Sequence, residues 1–147
     1  MVQVKSSSGN FVSIQLIGVE KVRDKLKKLE MDIHSAKNDQ LIKNATLYAR
    51  EVQQSIMGAR NETKSVDTGK FANSITITKK GKDEIVVEPR ALRYTSGVNT
   101  QQVSTWLEYG TSKITPRRHF RNTAARIKPQ VIDNFKKAVS QITARFK

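Results

Sequence analysis

The sequence predicts an α+β fold in which a small antiparallel sheet is covered by helices, and three observations predict it. Short alternating or β-branched runs occur near the start and in the middle of the chain, at 11–16, 74–78 and 84–88. Longer stretches on either side of the middle runs carry apolar residues at spacings of three and four. The resulting order, β, α, α, β, β, α, lacks the regular strand-helix alternation of a parallel sheet. With 147 residues, 37% of them hydrophobic and 27% charged, the chain reads as a single domain spanning 1–147 with one core, and not as a disordered polyampholyte.

Residues 1–10 run through Ser6-Ser-Ser-Gly9 and are expected to be flexible. Phe11-Val-Ser-Ile-Gln-Leu16 has the period of a half-buried strand, ended by Gly18. Val19, Val22, Leu26, Leu29 and Ile33 then mark the apolar face of a first helix. The face lapses at 37–40 and resumes at Leu41, Ala45, Tyr48, Val52 and Ile56 before Gly58, as a second helix or a bent continuation of the first. Residues 58–66 are polar and read as an exposed loop. Asp67-Thr-Gly69 is a turn leading to a hairpin, Ser74 to Thr78 and Glu84 to Glu88, joined by Lys79-Lys-Gly-Lys-Asp83 and stopped by Pro89. Residues 90–105 are polar with one aromatic, Tyr94, and are expected to form a mobile loop. Residues 103–109 suit a short helix closed by Gly110. Phe120, Ala124, Ile127, Val131, Phe135, Ala138, Ile142 and Phe146 define a long terminal helix, kinked or split at Pro129.

Charge is the strongest compositional signal. The formal net charge is +14, and residues 111–147 supply +9 of it, with ten Lys or Arg against Asp133 alone. A field that lopsided points to a polyanionic neighbour, either nucleic acid phosphate or an acidic protein surface. Arg117, Arg118, Arg121, Arg126 and Lys128 crowd the start of the terminal helix, where the helix dipole disfavours cations and a compensating anion is expected. The chain has no cysteine, which removes disulfide scaffolds, Cys-ligated metal sites and thiol catalysis. It shows no apolar run of signal-peptide or transmembrane length, so a cytoplasm-like compartment or a particle is expected, with no membrane partner. The Asn-x-Thr sequons at Asn44 and Asn61 are then unused.

The catalytic motifs fail on context. Asp67-Thr-Gly69 matches the aspartic-protease triplet, but it follows Glu62-Thr-Lys-Ser65 and not a buried strand, so a turn or helix cap is the better reading. Gly69-Lys70 is no phosphate loop, because Lys64 stands where the leading glycine belongs and neither Ser nor Thr follows Lys70. His34 and His119 have no second ligand at metal-binding spacing. The expectation is a protein that is not an enzyme, with no cofactor, no metal and no small-molecule substrate. The basic terminal helix leaves direct nucleic-acid binding open as an alternative, although no zinc-finger, homeodomain or aromatic RNA-binding signature accompanies it.

Two segments together are more specific than either alone. Ser65-Val-Asp-Thr-Gly-Lys-Phe-Ala-Asn-Ser-Ile75 followed by a hairpin, and Trp106-Leu-Glu-Tyr-Gly-Thr111 followed by Pro116-Arg-Arg-His-Phe120 and a terminal helix, resemble a family of small tail-component proteins of long-tailed bacteriophages and prophages. The resemblance runs from Phe11 onward; Phe71 replaces a usual Leu, Arg121-Asn-Thr123 replaces an apolar-Pro-Ala run, and 90–105 is longer than typical. It implies a structural virion protein of the neck, present in host cytoplasm during assembly. Its copies would form a ring, six-fold favoured and twelve-fold possible, that joins head connector to tail and leaves a channel for DNA. It also implies a structural turn set, Asp67, Thr68, Gly69, Gly110 and Thr111, and a set facing subunits or partners, Trp106, Glu108, Tyr109, Arg117, Arg118, Phe120 and Arg121. Physically, the two glycines suit backbone angles closed to other residues, and the threonines suit adjacent amides. Trp106, Tyr109 and Phe120 fit either an anchor or a core.

Overall fold

In the computed structural model, which describes residues 2–6, 12–16, 18–65 and 68–146, the two apolar stripes of the first third of the chain belong to one element. Helix α1 runs unbroken over Val19–Ile56, 38 residues, or about 57 Å at 1.5 Å per residue. The lapse at 37–40 is therefore a change of neighbour and not a break. No Gly or Pro interrupts the segment, and Lys37 and Gln40 at its two ends are tied down. Lys37 Nζ donates to Asp83 at 2.6 Å, and Asn44 Oδ1 accepts from both Gln40, at 3.2 Å, and Asn134, at 3.0 Å.

The strands form two separate antiparallel pairs. β1 (Val2–Ser6) pairs with β2 (Val12–Leu16), Val2 opposite Leu16. β3 (Ile75–Lys79) pairs with β4 (Ile85–Pro89), Ile77 opposite Val87. The expected N-terminal strand thus exists, but it joins a strand drawn from 1–10 instead of the central hairpin; Met1 and 7–11 lie outside the described residues. Val2 and Val4 alternate over too short a run to stand out without their partner strand.

Between α1 and β3 lie a 3-10 turn, Ala59–Asn61, and a one-turn helix α2, Lys70–Ser74, which takes Ser74 out of the strand. The expected loop 90–105 holds a turn and the start of a helix. Its first half is a turn closed by Tyr94 N donating to Val98 O, at 2.8 Å, and by an isolated bridge between Arg93 and Asn99. Its second half opens α3 (Thr100–Tyr109), whose Asn99 and Gln102 form a capping box. Thr100 is fully buried: its hydroxyl donates to Arg90 O and accepts from Leu92 N. Backbone satisfaction by one threonine is invisible to a count of apolar residues.

Helix α4, His119–Ala144, is a single helix with Pro129 inside it. It packs antiparallel along α1: His119 meets Ser55, Arg126 meets Glu51 at 2.7 Å, and Asn134 meets Asn44. The core sits at the C-terminal half of α1, where Val52 and Ile56 pack with Phe71, Ala72, Ile75 and Leu107. The N-terminal half of α1 extends away from it. There Val19, Val22, Leu26 and Met31 stay 49 to 68% exposed.

Candidate interaction site at the start of the C-terminal helix

The chain leaves α3 and enters α4 through a loop built on Gly110, Thr111 and Pro116. Gly110 sits at φ 81° and ψ 173°, a region open to glycine almost alone. A Cβ on it would lie 2.7 Å from Pro116 Cγ and 2.9 Å from Ile114 O. Thr111 Oγ1 accepts from the amides of Lys113, at 3.2 Å, and Ile114, at 3.1 Å. The return is fixed by Leu107 O, which accepts from both Arg117 N, at 2.7 Å, and Arg118 N, at 3.1 Å. Arg118 is held in the left-handed region at φ 53° as the N-cap of α4.

The first turn of α4 holds no acidic residue, so the anion the basic cluster calls for comes from α3. The Glu108 carboxylate accepts from Phe120 N, at 3.2 Å, and Arg121 N, at 2.9 Å. These are amides that a helix start leaves without intrahelical partners. Tyr48 on α1 donates to Phe120 O at 3.0 Å and meets the Phe120 ring edge-on, centroids 6.5 Å apart. Burial, reinforced by the Glu108 charge, pushes the Tyr48 phenol up to about 12.

His119 is buried beneath this junction. Its Nδ1 lies 2.8 Å from Ser55 Oγ and its Nε2 lies 2.6 Å from Ser65 Oγ. Arg117 NH1 donates to Ser65 Oγ and to Lys64 O, both at 2.7 Å. The network is consistent if the Ser65 hydroxyl donates a hydrogen bond to Nε2 while Nδ1–H donates to Ser55 Oγ, a neutral imidazole. Burial lowers the His119 pKa, which fits that assignment. A hydroxyl stands where a catalytic triad has its orienting carboxylate. The network joins α1, the 62–65 segment and α4 into one unit.

The structure therefore brings Glu108, Arg117, Phe120 and Arg121 together, but gives the side chains different work. Glu108, Arg117 and Phe120 are engaged inside the subunit. Arg118 and Arg121 are exposed and make no ion pair among the described residues. Tyr109 is 79% exposed. Trp106 lies elsewhere, lining a hollow of about 270 Å³ with Thr68, Gly69 and Tyr94. Gly69 has φ 77° and caps α2, and Thr68 Oγ1 accepts from Lys70 N at 3.4 Å. Asp67 lies outside the described residues. Sequence reasoning missed the His119 network because its serines sit 64 and 54 residues away; the available signal was a lone histidine between two arginines and an aromatic at the start of a helix.

At this junction the polar side chains mostly bind the chain's own elements together, and two arginines and Tyr109 stay exposed. The model of the HK97-gp10-like family, described as "Bacteriophage HK97-gp10, putative tail-component", matches residues 20–110, from the second residue of α1 through Gly110. The chain belongs to this family of phage tail components. No curated protein and no solved structure matches it. The match covers the α3 end of the junction, while the basic quarter of the chain lies beyond it. Among the described residues no helix is long and apolar enough to cross a membrane.

Proposed function

We propose that the protein acts at the head-tail junction, as a ring of copies, six-fold favoured, that completes the tail and leaves a passage for the genome. The observation that supports a docking role most directly is the unpaired arginine pair, Arg118 and Arg121, on a backbone fixed by Leu107 and Glu108. Preplaced charge of this kind steers association with an oppositely charged surface and sets register. An acidic face on the adjoining connector or tail protein is the partner in this reading. A channel through which DNA slides gains nothing from tight phosphate binding.

Charge reversal, Arg118→Glu with Arg121→Glu, tests it. Exposed charges contribute little to stability, so the melting temperature stays near wild type while head-tail joining falls in complementation. Arg117 is left out because its guanidinium is part of the fold. Normal joining with stalled ejection or lost DNA would assign the arginines to the channel. A steep salt-dependent shift of DNA by the isolated chain, lost in the double variant, would favour the nucleic-acid module instead.

A further inference from the structure

Between β4 and α4, above α1, runs an apolar groove of about 410 Å³ lined by Leu41, Tyr48, Val87, Ile127, Val131 and Phe135, with Lys128 at its rim. One wall is a strand whose outer edge is unpaired among the described residues, since the β3-β4 sheet has only two strands. An open edge beside uncovered apolar helices is completed by another strand with one apolar face. The same chain contains one. β1 and β2 both read in sequence as strands with one apolar face, Val2 and Val4 and then Val12, Ile14 and Leu16 recurring at every second position. A two-stranded hairpin is marginal unless that face is packed.

The hairpin cannot reach its own groove. Val12 lies at most about 25 Å of extended chain from Val19, whereas along α1 Leu41 is about 33 Å and Tyr48 about 44 Å from Val19. We propose that the β1-β2 hairpin of one copy adds beside β4 in the groove of a second copy, extending the sheet to four strands. This rests on the ring reading above. The contact is head-to-tail, the kind that closes into rings when the rotation allows. Charge agrees with it: Lys5 is the only charged residue among the first 18 of a +14 chain, so the hairpin approaches a like-charged copy with the least repulsion.

The absence of cysteine makes disulfide trapping clean. The double variant Ile14→Cys with Val131→Cys, oxidised as purified protein and within assembled tails, is expected to give a ladder of covalently linked copies. Mixing the two single variants should give a covalent dimer carrying one of each, and nothing larger. Val2→Cys with Phe135→Cys repeats the test should one cysteine disturb its strand; circular dichroism and melting check that each variant folds. A bond formed within one chain, seen as a faster-running monomer, would overturn the proposal. So would the absence of any bond when the unmodified chain has the mass of a defined oligomer, which leaves the ring reading standing on another contact. No bond and a monomeric chain in both preparations would remove both.

Discussion

Gly110→Ala is the sharpest perturbation the junction offers. Two costs add. Alanine at φ 81° and ψ 173° occupies a nearly glycine-only region, about 1–3 kcal/mol. Its Cβ would also sit 2.7 and 2.8 Å from Pro116 ring atoms and 2.9 Å from the Ile114 carbonyl. Neither a proline ring nor a backbone oxygen swings aside as a flexible side-chain end does, so overpacking adds about 1–3 kcal/mol. Reduced freedom of the unfolded chain returns about 0.4–1 kcal/mol, which leaves a net loss of about 1–5 kcal/mol, centred near about 3 kcal/mol. For a chain of this length a loss of about 3 kcal/mol lowers the melting temperature by about 6–12 °C. Gly69→Ala is the internal control. Gly69 has φ 77° and ψ −8°, and its Cβ would touch only Asn73 Nδ2 at 3.6 Å. The left-handed penalty of about 1–2 kcal/mol is then about half offset by the same unfolded-state term of about 0.4–1 kcal/mol. Thermal melts by circular dichroism compare the two. If Gly110→Ala melts within a degree of wild type, or no lower than Gly69→Ala, the contact with Pro116 does not fix the junction.

Glu108→Ala should cost about 1–2 kcal/mol by denaturant titration, as an N-terminal cap does; Glu108→Gln, which still accepts but carries no charge, should cost less, and equal losses would exclude the charge as a contributor. Ultraviolet titration should show one tyrosine ionising near 12, a step that Tyr48→Phe removes. Because that folded-state value is raised, the stability Tyr48 contributes is intact below pH 10 and is lost as pH rises through about 12. His119 behaves in the opposite sense. Its folded pKa is lowered, so the unfolded chain takes up the proton first and stability falls as pH drops below about 6.5. The imidazole resonances should titrate below that value, and a titration at or above it would contradict the neutral Ser55-His119-Ser65 arrangement.

The α+β class, the central hairpin and the terminal helix were legible because each rests on a local period. What was not legible depends on which residue meets which. Glu108 reads as an exposed anchor in sequence, yet its carboxylate caps a helix that begins 11 residues later. Arg117 and Arg118 are identical neighbours, yet one is bound to Ser65 and Lys64 while the other carries the left-handed N-cap and an exposed side chain. The stripe Val19, Val22, Leu26, Leu29, Ile33 makes the same point for packing. Its period is as regular as that of Leu41 to Ile56, and both stripes lie on one continuous helix. Only the second reaches the subunit core, while Val19, Val22 and Leu26 remain about half exposed. Periodicity records that a face is apolar and says nothing about which molecule covers it.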